Sequence, residues 1–415
     1  MRTSSPSSNP KTLKSFYSVS SQLGWRREHF GIFVWSLDRS EFFRLSGLDA
    51  AVFYVAAREG AIASGSSHEP EFRAAGIECR ESDIDRALVR LEAGRLLIRT
   101  APGPSRSLRT TLENFASDRP LQAAAKPIWV HLQPFTFCNL SCRHCYCYSS
   151  PSAPKFSLSV DLWREIIGKL DQYGIAEVFI TGGETLILPE TWLLVREIRS
   201  RRLGTGLSTN ALHITPEILR NLHAYGIQRI QVSLDGGTAA THDYLRNKNG
   251  AFDKAVANLS AINRVSEPVI NTTVNNMNLT ELDAIVEIGL RAGVTKFKFF
   301  PQKPTGRARL LPELTLSDPQ IDDVLVPLCA ELSERHGVVV ETMSPTSRCG
   351  SARSGFCIDE AGDAYPCIFG IGDPDQRAGN VLRDALDTIW FDSEVMQRFR
   401  TLESHPCRRC EPLAS

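Results

Sequence analysis

The sequence has no surplus of either charge: 47 basic residues balance 47 acidic ones. That balance excludes the strong field that draws a protein onto nucleic acid or an anionic membrane. It has no apolar run long enough to cross a bilayer. Its first residues, MRTSSPSSNPKTLKS, lack the apolar core of a secretory signal. The expectation is a cytoplasmic protein with no membrane and no nucleic-acid partner. Its 415 residues exceed one ordinary domain and suit two or three. Cysteine, by contrast, is plentiful, at eleven residues. In a reducing compartment so many thiols point to metal ligation or catalysis before disulfides.

The pattern along the chain divides it into five stretches. Residues 1–27, rich in Ser and Pro, are expected to be a disordered tail. Residues 28–101 read as a small α+β module. GIFVWS and EFFRLS form a hairpin, LDAAVFYVAAREG is a helix, and Ser82 caps a second helix, DIDRALVRLEAG. LLIRT closes the module as a strand. Residues 102–127 read as a linker. From residue 128 to 336 the rhythm becomes strand, helix, strand, helix. The strands are WVHLQPF, AEVFITG, TGLSTN, RIQVSLDG, VINTTVN and KFKFFP. Six such units predict an α/β fold: a parallel sheet curled into a partial (β/α)6, TIM-like barrel, with chemistry at the C-terminal strand ends. Residues 337–415 are expected to hold a short strand, a hairpin, a helix and a terminal cysteine pair.

Directly after the first barrel strand stands FTFCNLSCRHCYCY, in which Cys138, Cys142 and Cys145 make C-x3-C-x2-C. Three thiolates on a tight loop can hold three irons of a 4Fe–4S cubane. The fourth iron then lacks a protein ligand and is free to take a small molecule through an amine and a carboxylate, as S-adenosylmethionine (SAM) offers. The alternative is a zinc site with His144 as an added ligand, although zinc sites more often use paired C-x2-C units.

This loop, placed after the first strand of a six-fold β/α repeat, resembles the radical SAM superfamily over residues 128–335. The resemblance assigns further roles. ITGGET at the second strand end matches a Gly-Gly-Glu motif, so Gly182, Gly183 and Glu184 would meet the SAM ammonium group. Thr185 stands where the family often has Pro. In LSTNA, Ser208 and Asn210 would contact SAM. In VSLDGG, Ser233 and Asp235 would face the cavity, and Arg246 of HDYLRN would pair with the SAM carboxylate. NTTVNN would lie near the adenine, and His144 stands where the family has an aromatic residue against that ring. Asp235 and Lys298 are the candidate catalytic bases, by position alone. The implied chemistry is reductive cleavage of SAM to a 5′-deoxyadenosyl radical, with a reductant such as flavodoxin or ferredoxin as electron source.

Near the C-terminus, Cys349, Gly362 and Cys367 fit C-x12-G-x4-C, and Cys407 with Cys410 forms C-x2-C. A zinc ribbon is one reading of four such cysteines. After a radical SAM barrel they resemble the auxiliary-cluster extension, of Twitch or SPASM type. That resemblance implies one auxiliary 4Fe–4S cluster on Cys349, Cys367, Cys407 and Cys410. Of the remaining cysteines, Cys79 and Cys329 read as buried small hydrophobes. Cys147 reads as a wall residue or a hydrogen donor, and Cys357 as a hairpin residue that fits the ligand spacing less well than Cys349.

The N-terminal module has the order of a winged helix. Its helix DIDRALVRLEAGR mixes acids with bases, against a DNA-binding role. It resembles the peptide-recognition elements, similar to the pyrroloquinoline quinone chaperone, that precede enzymes modifying ribosomally made peptides. Such elements take a leader peptide as an added strand. The expected function is therefore a maturase that abstracts hydrogen from a precursor-peptide residue and forms a thioether or carbon–carbon crosslink. Two rivals are a radical SAM oxidase acting on a small molecule or protein side chain, and a non-catalytic, metal-stapled binding protein.

Overall fold

The computed structural model describes residues 15–20, 23–28, 31–36, 42–59, 61–64, 68–74, 77–100, 124, 126–227, 229–342 and 350–401. These fall into two compact units, one ending by Thr100 and the other beginning at Ala124.

The first unit contains β1 (Phe16–Val19), β2 (Leu23–Glu28), β3 (Gly31–Ser36), β4 (Phe42–Leu45), α1 (Gly47–Glu59), β5 (Ile62–Ala63), α2 (Glu69–Ala74), α3 (Glu81–Ala93) and β6 (Leu97–Thr100). β2, β3 and β4 form an antiparallel meander, and β1 lies between β5 and β6 in a second antiparallel sheet. The core gathers Ile32 and Val34 of β3, Phe53 of α1, Phe72 of α2, and Ile84, Leu88 and Leu91 of α3. Trp25 of β2 packs edge-on against Phe53 and Tyr54.

Two expectations are corrected here. The stretch expected as a tail holds β1 and all but the last residue of β2. Tyr17 is buried, and Phe16 pairs with both Ala63 and Thr100, partners too distant for a local pattern to reveal. The helix α3 begins at Glu81, so Ser82 lies inside its first turn. The capping contact is the Arg80 backbone N–H, which donates to the Asp83 carboxylate at 2.8 Å. The expected linker lies almost wholly outside the described residues.

The second unit contains β7 (Trp129–Leu132), α4 (Val160–Tyr173), β8 (Glu177–Ile180), α5 (Pro189–Ser200), β9 (Gly204–Thr209), α6 (Pro216–Ala224) and β10 (Arg229–Ser233). α7 (Ala239–Arg246), α8 (Ala251–Asn263), β11 (Glu267–Val274), α9 (Leu282–Arg291), β12 (Lys296–Pro301), α10 (Val326–His336) and β13 (Val339–Thr342) follow. β14 (Gly355–Ile358), β15 (Asp363–Tyr365), β16 (Gly379–Asn380) and α11 (Glu394–Thr401) complete it.

All six expected barrel strands form and pair in parallel in chain order, each followed by its helix. Alternation along the strands sorts their side chains. Ile230 and Val232 of β10, and Phe297 and Phe299 of β12, are buried in the apolar core. Arg229, Gln231, Ser233 and Lys298 occupy the opposite, polar face. Helix starts follow local chemistry: the Ser159 and Thr215 hydroxyls accept from Leu162 N–H and Ile218 N–H, and Pro216 opens α6.

The expected boundary at residue 336 does not interrupt the sheet. β13 adds a seventh parallel strand beside β12, and β14 lies parallel to β7 on the opposite side, with Gly355 opposite Trp129 and Ile358 opposite Leu132. β15 and β16 extend that edge antiparallel, giving ten strands among the described residues. No helix among the described residues is long and apolar enough to cross a membrane.

Candidate active site

The loop after β7 carries the three clustered cysteines. Cys138 and Cys142 are buried with Leu140, and Cys145 and Leu212 pack against them. Burial, with Glu184 adding its charge, pushes the Cys138 thiol up to about 12. Burial also raises Cys142. Cys145 is lowered by the hydrogen bond it shares with Cys147, their sulfurs 3.9 Å apart. Donors converge on the sulfurs. Leu140 N–H lies 3.4 Å and Asn210 Nδ2 3.9 Å from Cys138 Sγ, while an Arg246 guanidinium nitrogen lies 3.8 Å from Cys142 Sγ. Such donors stabilise thiolate ligands. No three acid, imidazole or thiol side chains among the described residues stand at single-ion spacing. The three thiols and the donors around them fit an iron–sulfur cluster.

The Gly-Gly-Glu segment follows β8 and grips this loop. Gly183 N–H donates to Phe135 C=O and Glu184 N–H to Phe137 C=O, at 3.1 and 3.0 Å. A Cβ on Gly183 would lie 1.7 Å from the Phe137 carbonyl oxygen, so only glycine fits that approach. The Glu184 carboxylate is buried and accepts from Leu186 N–H, Thr209 Oγ1–H and Asn210 N–H. Burial raises its pKa against those bonds. Glu184 thus ties the β8 end to the β9 end. Asn210 Nδ2 donates to Asn139 Oδ1 at 2.8 Å, carrying the link on to the cluster loop. The Ser208 hydroxyl donates to Thr181 Oγ1 at 3.1 Å. Thr185, in the place of the family's Pro, donates to Ser208 C=O at 2.6 Å.

After β10 lies a buried charged network. Asp235 is fully buried. Its Oδ2 stands 2.5 Å from an Arg246 guanidinium nitrogen and 3.1 Å from His144 Nε2, and its Oδ1 accepts from Thr273 N–H. Burial opposes its charge, but Arg246 and His144 outweigh burial and hold the carboxyl well below its ordinary range. His242 of α7 accepts from Asp235 N–H at 3.0 Å, and burial lowers its pKa to about 4. His144 Nδ1 faces Leu245 C=O at 3.2 Å. Both nitrogens of His144 are therefore engaged at the ring edge. Asp235, expected as a cavity-facing base, lies buried between the Arg246 guanidinium and the His144 ring.

Lys298, the other candidate base, lies at the barrel wall with Nζ 3.1 Å from Glu341 of β13. Burial and then Arg229 lower its pKa. It is not brought together with Asp235 in any contact between described residues. Ser233 ends β10 opposite Asn271 of β11. Gly182, with φ of +120°, precedes Gly183 beside the Phe135 carbonyl.

Arg307 carries no motif signal, yet it holds the cluster loop. Its Nε donates to Cys142 C=O at 2.7 Å, a terminal nitrogen to Ser149 C=O at 2.6 Å, and its N–H to Cys145 C=O at 2.8 Å. The one available hint was an arginine shortly after the last expected barrel strand. Of the four expected auxiliary ligands, Cys367 is buried just after β15, while Cys349, Cys407 and Cys410 lie outside the described residues. Cys357 is buried in β14, opposite His131 and Tyr365.

A partial parallel barrel with a three-cysteine loop after its first strand and polar strand ends defines a SAM-dependent iron–sulfur enzyme class, and the comparisons agree. The Radical SAM superfamily matches residues 132–306, and the SPASM family, an iron-sulfur cluster-binding domain, matches residues 349–411. An AdoMet-dependent heme synthase of Methanosarcina barkeri is 29% identical over 303 residues, covering 66% of this chain and 85% of that protein. Mycofactocin maturase MftC of Mycobacterium tuberculosis is 32% identical over 287 residues, covering 64% of this chain and 71% of that protein. The crystal structure of Streptococcus suis SuiB bound to S-adenosylmethionine shares the fold over 95% of this chain and 94% of that one, at TM-score 0.65 and 15% identity. The chain belongs to the radical SAM superfamily and carries a SPASM-type iron–sulfur domain.

Proposed function

We propose that this enzyme is a maturase of a ribosomally made precursor peptide. Its first unit would bind the leader as an added strand, and its barrel would modify a core residue. The observation that carries this reading is the first unit itself. The antiparallel meander β2-β3-β4, backed by α1, leaves the two outer strands each with one unpaired edge among the described residues, as strand addition requires. The SuiB fold extends over that unit, since its match covers far more than the second unit alone. SuiB has also been solved with its precursor peptide SuiA, and MftC is a maturase by name.

Cys138, Cys142 and Cys145 would hold the first cluster. His144, Gly182, Gly183, Glu184, Ser208, Asn210, Ser233 and Arg246 would shape the SAM pocket. Cys349, Cys367, Cys407 and Cys410 would hold an auxiliary 4Fe–4S cluster. A cluster and SAM held by these residues would supply the abstraction of a hydrogen atom from the substrate. Asp235 holds Arg246 and His144 in place, and Arg307 fixes the loop carbonyls between the cysteines. Lys298 is the remaining candidate base inside the barrel. A flavodoxin or ferredoxin would deliver the electron. The product would be a thioether or carbon–carbon crosslink, with the auxiliary cluster accepting the leftover electron.

The likeness to a heme synthase favours a second reading, a small-molecule substrate. The test is anaerobic protein with SAM and reductant, assayed for iron and 5′-deoxyadenosine, together with peptide binding. About eight irons per chain (two cubanes) and deoxyadenosine formation lost in Cys138→Ala are expected. Deletion of residues 1–121 should abolish leader binding yet preserve SAM cleavage. Zinc with intact SAM overturns the enzyme reading. Full substrate turnover by the deleted protein overturns the peptide reading.

A further inference from the structure

Around the cluster loop the charge balance of the chain breaks down. Residues 138–160, 244–250 and 302–312 contain no Asp or Glu, although the chain as a whole balances. These three segments meet in space. Arg143 N–H donates to Leu245 C=O at 2.9 Å, and its guanidinium lies 4.5 Å from the centre of the Tyr244 ring. From the third segment, Arg307 N–H donates to Cys145 C=O. The approach of Gly306 is so close that an added Cβ would stand 2.4 Å from Tyr146 backbone atoms. The nearest acid before the second segment, Asp243, turns its carboxylate onto Gly250 N–H and Phe252 N–H.

Arg143, Lys248 and Arg309 are exposed on these segments, and so are three large apolar side chains: Tyr148 at 57%, Tyr244 at 41% and Leu310 at 72%. Arg143 directly follows the buried Cys142, so the surface lies one residue outside the proposed cluster. Arginine and tyrosine together are characteristic of protein interfaces, and a one-signed surface steers an oppositely charged partner.

We infer that this basic, tyrosine-bearing surface is the docking site of an acidic one-electron carrier protein, and that the electron enters the first cluster through the Cys142–Cys145 loop. The carrier would give up one electron and a cluster held by Cys138, Cys142 and Cys145 would take it up, with no bond made or broken in that step. The inference rests on the reading that Cys138, Cys142 and Cys145 hold a reducible cluster. It adds where the electron arrives and from what kind of surface.

The test is stopped-flow mixing of the loaded enzyme with a reduced acidic flavodoxin, following bleaching of the cluster, for the natural protein and Lys248→Glu/Arg309→Glu. The natural protein should react more slowly as salt rises. The variant should react at least tenfold more slowly at low salt, yet show the same cluster signal when reduced by dithionite. A variant rate within twofold of the natural one, with no salt dependence, overturns the inference. So does a variant that binds an acidic peptide more weakly but accepts electrons from flavodoxin normally, since the surface then serves substrate. A natural protein with no cluster signal under dithionite overturns the iron–sulfur reading instead, and the two failures are therefore distinct.

Discussion

Asp235 sits between the Arg246 guanidinium and the His144 ring with no exposed surface, and its other oxygen is bonded to the Thr273 backbone. Removing one member of such a buried pair leaves the other charge without compensation. Asp235→Ala should therefore lower stability by about 3–5 kcal/mol in anaerobic urea unfolding. Asp235→Ala/Arg246→Leu should recover part of that loss, because the stranded guanidinium is gone. A cost below about 1 kcal/mol for the single variant would contradict the buried pair, because exposed pairs cost that little. At this scale the site was legible where its chemistry is contiguous. The three cysteines, the Gly-Gly-Glu segment and the SLDG turn each announce themselves within a few residues. Arg307 did not, because it grips carbonyls more than 150 residues earlier in the chain, and nothing in QKPTGRARL says so. The partnership of His144 with Asp235 was hidden for the same reason.

Regular elements were legible wherever a long periodic segment had its own start signal. The barrel helices and strands fall where the pattern places them, since each strand buries one face and each helix one stripe. Short elements fared differently. α7 spans only Ala239–Arg246, too short for a clear periodic signal, and β1 depends on partners more than 40 residues away. The start of α3 is the most testable case. Two residues compete for the cap, and only Asp83 bonds to the chain entering the helix. Asp83→Ala should be the more destabilising of the two changes, because it removes the carboxylate that accepts from Arg80 N–H. Ser82→Ala, inside the first turn, should stay within about 0.5 kcal/mol, as surface changes do. Chemical denaturation of the two variants side by side checks the order. Equal losses would mean that the serine shares the cap.

At the scale of the whole molecule, composition foretold several domains and the motifs foretold a barrel with an iron–sulfur extension. Neither foretold that this extension completes the barrel sheet. β14 hydrogen-bonds along the outer edge of β7, and Phe356, Ile358 and Trp390 share one apolar core with Val130, Leu132 and Trp163. Trp390 Nε1–H also donates to Ala124 C=O, Trp129 Nε1–H to Ser354 Oγ, and Tyr173 O–H to Asp387. These links join residues more than 200 positions apart, which local periodicity cannot register. Two truncations should therefore behave in opposite ways. Deleting residues 1–121 removes one compact unit with its own core, so the remainder should unfold in a single transition within a few degrees of the full chain. Deleting residues 343–415 strips the edge of β7 and opens the core around Trp390. An exposed parallel edge invites association between chains. That protein should aggregate or lose its cooperative transition, even though all six expected barrel strands remain. Circular dichroism melts and size-exclusion chromatography of both deletions decide the matter. A soluble, cooperatively folding 1–342 chain would mean that the barrel stands alone and that the shared sheet is only an attachment.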